Sequence, residues 1–394
     1  MTATEKRAAT SLASILSLRM MGLFMVLPLF SLYATQLAGA TPLLIGIAIG
    51  IYGLTQALLQ VPFGMLSDHL GRRKVIVAGL LLFALGSAIC ALSHSIFWMM
   101  VGRALQGTGA VGSTLMAMIA DLTRPEQRTK AMAIAGISIG FSFTLAMIAG
   151  PVLAAWITIP GLFWIAVLFS FIGILLLFTW VPSPKAAHWH ADVEPNLHDF
   201  HSLLKMPALL KLNAGIFLLH AIFTASFVVI PISLQDLAGL HGNQQWLLYL
   251  PVLLLAFAII IPCITIAEKK RKVKPFFVGA VLILGLAECL LWIFSKSLLI
   301  SALGLLLFLS AFSLLEAFLP SLVSQTAPPS RKGTALGMYS SAQFLGIFAG
   351  GALGGWLYGQ FGLTYVYLFC VILTLVWVII AIKMNTGDLH HGKR

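Results

Sequence analysis

The chain is 394 residues long, 60% hydrophobic and only 9% charged, with a mean hydropathy of +1.00. Soluble domains carry roughly a quarter of their residues as charged side chains, so a water-soluble globular domain is excluded at the outset. The net charge of +12 does not imply nucleic acid, because the basic residues are scattered between apolar runs and form no single patch.

Met1 to Ala9 is short and polar. The apolar run behind it is too long for a signal-peptide core and shows no clear cleavage site, so it reads as a retained first span. A helix needs about 20 mostly apolar residues to cross the hydrocarbon core. Breaks at charges, Pro-Gly pairs and polar clusters then predict twelve spans. Six lie in the first half, at 12–36, 43–67, 75–92, 96–120, 131–156 and 161–181. Six lie in the second, at 210–234, 244–266, 275–294, 297–322, 333–356 and 362–382. The breaks around Ser93, Ile157–Pro160 and Gly359–Gly362 are the least marked.

Lysine and arginine assign the sides. Arg72, Arg73 and Lys74 fall between spans 2 and 3, and Arg124, Arg128 and Lys130 between spans 4 and 5. Lys185, Lys205 and Lys211 lie between spans 6 and 7, Lys269–Lys274 between spans 8 and 9, and Arg331 and Lys332 between spans 10 and 11. The opposite links hold Lys296 alone. By the positive-inside rule every even-to-odd link faces the cytoplasm, and so do both termini. The longest link carries Pro182, Pro184, Pro195 and Pro207 with three acids. It reads as a cytoplasmic connector, 182–209, between a bundle at 1–181 and a second at 210–394, with a short surface helix near His201–Lys205. The segment Arg128-Thr129-Lys130-Ala131 has a counterpart at Arg331-Lys332-Gly333-Thr334, where a parallel six-plus-six duplication would put it. The four cysteines all lie inside apolar runs without a CxxC or Cys/His cluster, so no metal or cofactor is expected.

The segment Gly64-Met65-Leu66-Ser67-Asp68-His69-Leu70-Gly71-Arg72-Arg73-Lys74 concentrates charge between two spans. Gly64 would permit close helix approach, and Gly71 a turn that bulkier residues resist. Asp68 can accept from a neighbouring helix N-terminus, and Arg72 can pair with Asp121 at the cytoplasmic end of span 4. Arg103 stands 18 residues before Asp121, or roughly 27 Å along a helix. That puts it inside the membrane, as a binding candidate or as an arginine reaching back to the outer interface, with Gln106 one turn on. The remaining ionisable groups in apolar runs are Arg19, His220, Glu288 and Glu316. His220 and Glu316 each lie roughly 13 Å from a cytoplasmic helix end. They could load and release a proton, or Glu316 could form a permanent ion pair with Arg19. Glu288, eight residues before Lys296, reads as an interface residue.

Gly64, Leu66, Asp68, Gly71, Arg72 and Arg73 resemble the loop 2–3 signature of the major facilitator superfamily, and Arg103–Gly107 its span-4 RxxQG motif. Gly150-Pro151 partly resembles the glycine motif of its antiporters, and Gly346 and Gly350 add to the helix-packing set. The chain most resembles the drug:proton antiporter branch. The resemblance implies an all-α fold of two pseudo-symmetric six-helix bundles, with spans 1, 4, 7 and 10 lining a cavity. Arg19, Arg103, His220 and Glu316 fall one on each. It also implies alternating access, with Gly64, Asp68, Gly71, Arg72, Arg73, Asp121 and Arg128 as a cytoplasmic latch closing near Gly333-Thr334. Members of the narrower inner-membrane subgroup that the chain resembles can carry a small soluble C-terminal domain. The chain ends about a dozen residues past its last span, so that module is expected to be absent.

The implied function is proton-coupled efflux of small amphipathic compounds across a bacterial inner membrane by a monomer, with a small molecule, protons and the bilayer as partners. Uptake of a metabolite or sugar by proton symport is the alternative, and a non-transporting sensor a more distant one. An ATP-driven pump would need a GxxxxGK[ST] loop, and an intramembrane enzyme an HExxH or GxSxG set. The sequence has no GxxxxGK[ST] loop and no HExxH, and its one GxSxG string, Gly136–Gly140, lies inside predicted span 5 and not at the strand-to-helix turn that the chemistry needs.

Overall fold

The computed structural model describes residues 1–182, 202–270, 272–328 and 331–384, and every regular element among them is helical. Ala3–Phe24 and Leu27–Ala34 make the first span, Pro42–Leu70 the second and Arg72–Leu92 the third. The fourth is broken into Ile96–Thr108 and Gly112–Asp121, across a stretch whose Gly107 and Gly109 oppose helix continuity. One helical stretch, Pro125–Thr179, holds 55 residues. Straight, it would run roughly 80 Å against a hydrocarbon core of about 30 Å, so it makes two crossings. Thr158 divides them with φ +65°, within the expected break at 157–160. Spans seven to twelve are Pro207–Asp236, Trp246–Lys269, Val273–Ile293, Leu298–Thr326, Lys332–Phe361 and Leu363–Ile382.

Nine helices among the described residues are long and apolar enough to cross a membrane. The 55-residue stretch counts twice, span 4 misses through its break, and span 11 is diluted by its glycines. The fold is therefore the expected all-α membrane architecture of twelve spans. Its outer face is oily, with Trp156 83% exposed and Phe97, Ile137, Leu168, Phe178 and Leu299 exposed beside it. In water such a surface would aggregate; in a bilayer it is solvated.

The chain forms two compact units, Met1–Phe30 with Ile51–Glu194, and Ser31–Gly50 with Pro195–Arg394. In the first, the opening helix packs along Pro125–Thr179. Its core gathers Leu12, Leu16, Ile76, Leu80, Leu115, Met118, Ile119 and Leu177. In the second, span 7 is buried along most of its length and packs chiefly on span 11. Phe223 stacks on Phe312 at 4.2 Å between ring centroids, and Trp377 is fully buried. Most of the connector at 182–209, including the start of its expected short helix, lies outside the described residues.

Candidate functional site

The charged turn is built by the end of one helix and the start of the next. Gly71 sits between them at φ +92°, a conformation a side chain resists. The turn thereby returns Arg72 to the preceding helix. Arg72 Nε donates to Asp121 Oδ2 at 3.1 Å, Nη1 donates to Ser67 Oγ at 2.6 Å, and the guanidinium also pairs with Asp68. Ser67 Oγ in turn donates to Gly64 O at 2.6 Å. Arg73 Nη2 donates to the Val181 carbonyl at 2.6 Å, reaching the end of span 6. One arginine thus joins spans 2, 3 and 4, and the next joins span 3 to span 6.

Three expectations about this turn change. Asp68 pairs with Arg72, four residues ahead, and the structure records no neighbouring helix N-terminus donating to it among the described residues. A Cβ at Gly64 would meet only Ser113 Oγ, at 3.6 Å. Close packing therefore does not demand glycine there. Arg128 stands outside the Arg72 network, and its buried Nε has no acceptor.

The polar N-terminus is fastened nearby. Thr2 and Glu5 form a capping box, and Glu5 also accepts from the Arg124 backbone N–H at 3.1 Å and from Arg124 Nε at 2.8 Å. The Arg124 side chain, then the backbone N–H groups of Thr2 and Arg124, lower the Glu5 carboxyl to about 2. Glu5 lies ahead of the apolar run, on the same side as the charged turn.

Deep in the first unit, Arg19 is 2% exposed and Arg103 4% exposed. Arg19 Nη2 donates to Gln56 Oε1 at 2.7 Å, while its buried Nε and Nη1 have no acceptor. Arg103 Nη1 donates to Gln106 Oε1 at 2.7 Å, and Gln106 Nε2 donates to Ser87 Oγ at 2.8 Å, tying span 4 to span 3. The Arg103 guanidinium carbon lies 5.0 Å from the Tyr52 ring centroid and 5.7 Å from that of Phe30. An arginine reaching for the outer interface would be solvated, so that alternative is set aside.

In the second unit, His220, Glu316 and Gln343 meet. Gln343 Nε2 lies 2.9 Å from His220 Nε2 and donates to Glu316 Oε1 at 3.1 Å. His220 Nδ1 lies 3.3 Å from the Ile216 carbonyl. The amide has two hydrogens, so it can serve both neighbours at once if His220 accepts at Nε2 and carries its proton on Nδ1. Glu316 Oε2 lies 3.8 Å from His220 Nε2 and has no hydrogen-bond partner. Its side chain as a whole keeps 33% exposure, but Oε2 itself is buried beside the imidazole. Glu288 departs from expectation. It is 0% exposed, inside the bundle and not at an interface, with Oε1 2.6 Å from Ser226 Oγ. Spans 7, 9 and 12 enclose it because its helix turns that face inward with Ala287 and Leu291.

Small residues set the helix contacts. A Cβ on Gly346 or Gly350 would overlap the backbone of Phe217 or Ala221 on span 7, and one on Gly150 that of Met25. Pro151 follows Gly150 inside its helix.

Residues 12–272 and 245–390 match the family described as Major Facilitator Superfamily. The chain belongs to this superfamily. The inner membrane transport protein YajR of Escherichia coli K12 is 45% identical over 98% of this chain and 85% of its own length. The multidrug resistance protein MdtH of Sodalis glossinidius is 24% identical over 86% and 82% of the two chains. Among solved structures, a D-xylose-proton symporter superposes with a TM-score of 0.76 at 16% identity, over 98% of this chain and 99% of the other. The chain is accordingly a multi-pass membrane transporter and not an enzyme. Within the superfamily frame, the motif residues pointed to Arg72, Asp121 and Arg103 but not to the neutral groups that hold them. Ser67 beside Arg72 and Tyr52 beside Arg103 are such groups, as are Gln56 at Arg19 and Gln343 at Glu316 and His220. Their one sequence signal is a polar side chain in an apolar run.

Proposed function

We propose that the chain is a secondary active transporter that works by alternating access and couples proton movement to efflux of small amphipathic compounds. The observation that carries this reading is the Glu316–Gln343–His220 group. It is a carboxylate on a partly exposed side chain, with one buried oxygen left without a partner, held beside an imidazole in a largely apolar bundle. A proton taken up at Glu316 Oε2 cancels the only formal charge of that group. It also places a donor where His220 Nε2 accepts, which would compete with Gln343 for that nitrogen. Loading and release therefore rearrange three side chains on spans 7, 10 and 11. Tyr339, on span 11 and within electrostatic reach of Glu316, completes the surroundings. Intramembrane ionisable residues of this kind commonly mark proton pathways.

Arg72, held by Asp68, Asp121 and Ser67, would serve as a latch on the cytoplasmic ends of spans 2, 3 and 4, with Arg73 extending it to span 6. Gly71 supplies the turn, and Arg128 is its least supported member. The positive-inside pattern favours a bacterial inner-membrane protein with both termini in the cytoplasm. The similarity to MdtH, a multidrug resistance protein, favours efflux. Symport is the second reading, because the same fold carries a D-xylose-proton symporter. Proteoliposomes with an imposed pH gradient and a library of amphipathic compounds test the proposal. Substrate-dependent proton flux opposite to substrate flux is the expected result. Flux in the same direction would replace antiport by symport, and transport indifferent to the gradient would remove proton coupling.

A further inference from the structure

The interior of the first unit has a charge problem that its own residues do not solve. Arg19 is 2% exposed, and two of its three guanidinium nitrogens, Nε and Nη1, have no acceptor. Its one hydrogen bond goes to a neutral amide, Gln56 Oε1. Between Lys6 and Val181 the only acids are Asp68, Asp121 and Glu126. Asp68 and Asp121 pair with Arg72, and Glu126 lies in the first turn of its helix in the field of Arg124. Glu5 also belongs to Arg124. No carboxylate lies in the apolar runs 12–36, 43–67, 75–92, 96–120, 131–156 and 161–181, yet two arginines are buried there.

The surroundings narrow what could answer that charge. Phe83 lies 5.5 Å from the Arg19 guanidinium carbon. Tyr52 lies within electrostatic reach of both arginines, with Arg103 over its ring. A buried cation without a counter-charge is costly, whereas Arg72 and Arg124 each have a carboxylate partner. A guanidinium with unused N–H groups is suited to a planar oxyanion, which it binds through several charge-assisted hydrogen bonds. Aromatic faces beside it suit an apolar tail.

We propose that Arg19, with Arg103 adding to the field, binds the acidic group of a small organic anion whose aromatic or apolar part lies on Phe83 and Tyr52. This rests on the transporter reading only in making that anion the cargo; the binding itself stands apart from transport. The cargo class is then narrower than amphipathic compounds in general. It comprises carboxylates, sulfonates and phosphate esters with an apolar body.

Equilibrium binding to the purified full chain in detergent tests this directly. The probes are 3-phenylpropanoate, 3-phenylpropanamide and 3-phenylpropylamine, which share a frame and differ in charge, with benzenesulfonate and phenyl phosphate as further anions. The wild type is expected to bind at least one of the three anions at least tenfold more tightly than the neutral amide, and the amine more weakly still. Arg19→Gln should reduce that preference to within twofold. Arg19→Lys keeps the charge without the guanidinium fork and should retain a preference of a fewfold; it carries the test if the glutamine variant does not fold. Equal binding of anions and amide by the wild type would overturn the proposal. So would an undiminished preference in both variants, or stabilisation by sodium chloride with no response to any of the three anions. Because the readout is binding, failure here leaves proton coupling intact, and failure of the proton-flux experiment leaves the anion preference intact.

Discussion

The two halves of the chain share a plan of six spans and differ in the charge they bury. The apolar spans of the first half carry Arg19 and Arg103 and no acid; those of the second carry Glu288, Glu316 and His220 and no arginine or lysine away from the helix ends. Each half also satisfies its groups differently. In the first, glutamines accept from guanidinium groups. In the second, glutamine and serine contact the carboxylates. The two halves have thus been filled with opposite chemistry. In the proposed transporter the basic half recognises cargo and the acidic half handles the proton.

Glycine substitutions test the scaffold beneath that contrast and carry the largest effect. Gly350→Val would drive a branched side chain into the Ala221 backbone and is expected to cost about 3 kcal/mol or more, seen as loss of monodisperse protein in detergent. Gly140→Ala, where nothing lies within 4 Å, should leave yield unchanged. The latch comes next. Arg72→Ala removes all three of its contacts and should lower transport in proteoliposomes about tenfold, counting roughly 1.4 kcal/mol per decade, with insertion intact. Asp68→Asn, which leaves Asp121 and Ser67 in place, should lower it only a fewfold.

The two acids of the second half separate more finely. Glu288→Gln keeps a hydrogen-bonding group beside Ser226 and should hold gradient-driven transport within twofold. A collapse there would shift the proton role to Glu288. The smallest effect concerns the N-terminal staple. The folded Glu5 carboxyl lies at about 2 against an ordinary 4.5. Its contribution is therefore complete above about pH 4.5 and disappears as pH falls toward 2. The difference in melting temperature between wild type and Glu5→Gln should be level above pH 5 and vanish between pH 4.5 and 2. A difference that grows on acidification would contradict the assignment.

Span number was legible because it depends on length, polarity and the side of each lysine and arginine, all properties of the linear sequence. Arg72 and Asp121 were legible as partners for the same reason, since both mark the charged ends of apolar runs. Glu288 was misplaced because distance from a helix end says nothing about which face turns inward. Thr2-x-x-Glu5 does carry a capping-box signature, yet its junction with Arg124 joins residues 119 apart. Gln343 and Gln56 were missed for the deepest reason. A neutral amide acquires its meaning from the charge it faces across helices.

The division of labour is tested most directly by proton flux through Glu316→Gln in sealed proteoliposomes, beside wild type and with a transported compound identified from the library. The account predicts that substrate exchange at equal pH survives while gradient-driven accumulation and substrate-dependent proton movement are lost. Full gradient-driven transport by that variant would contradict it and would leave the acidic half without its proposed role.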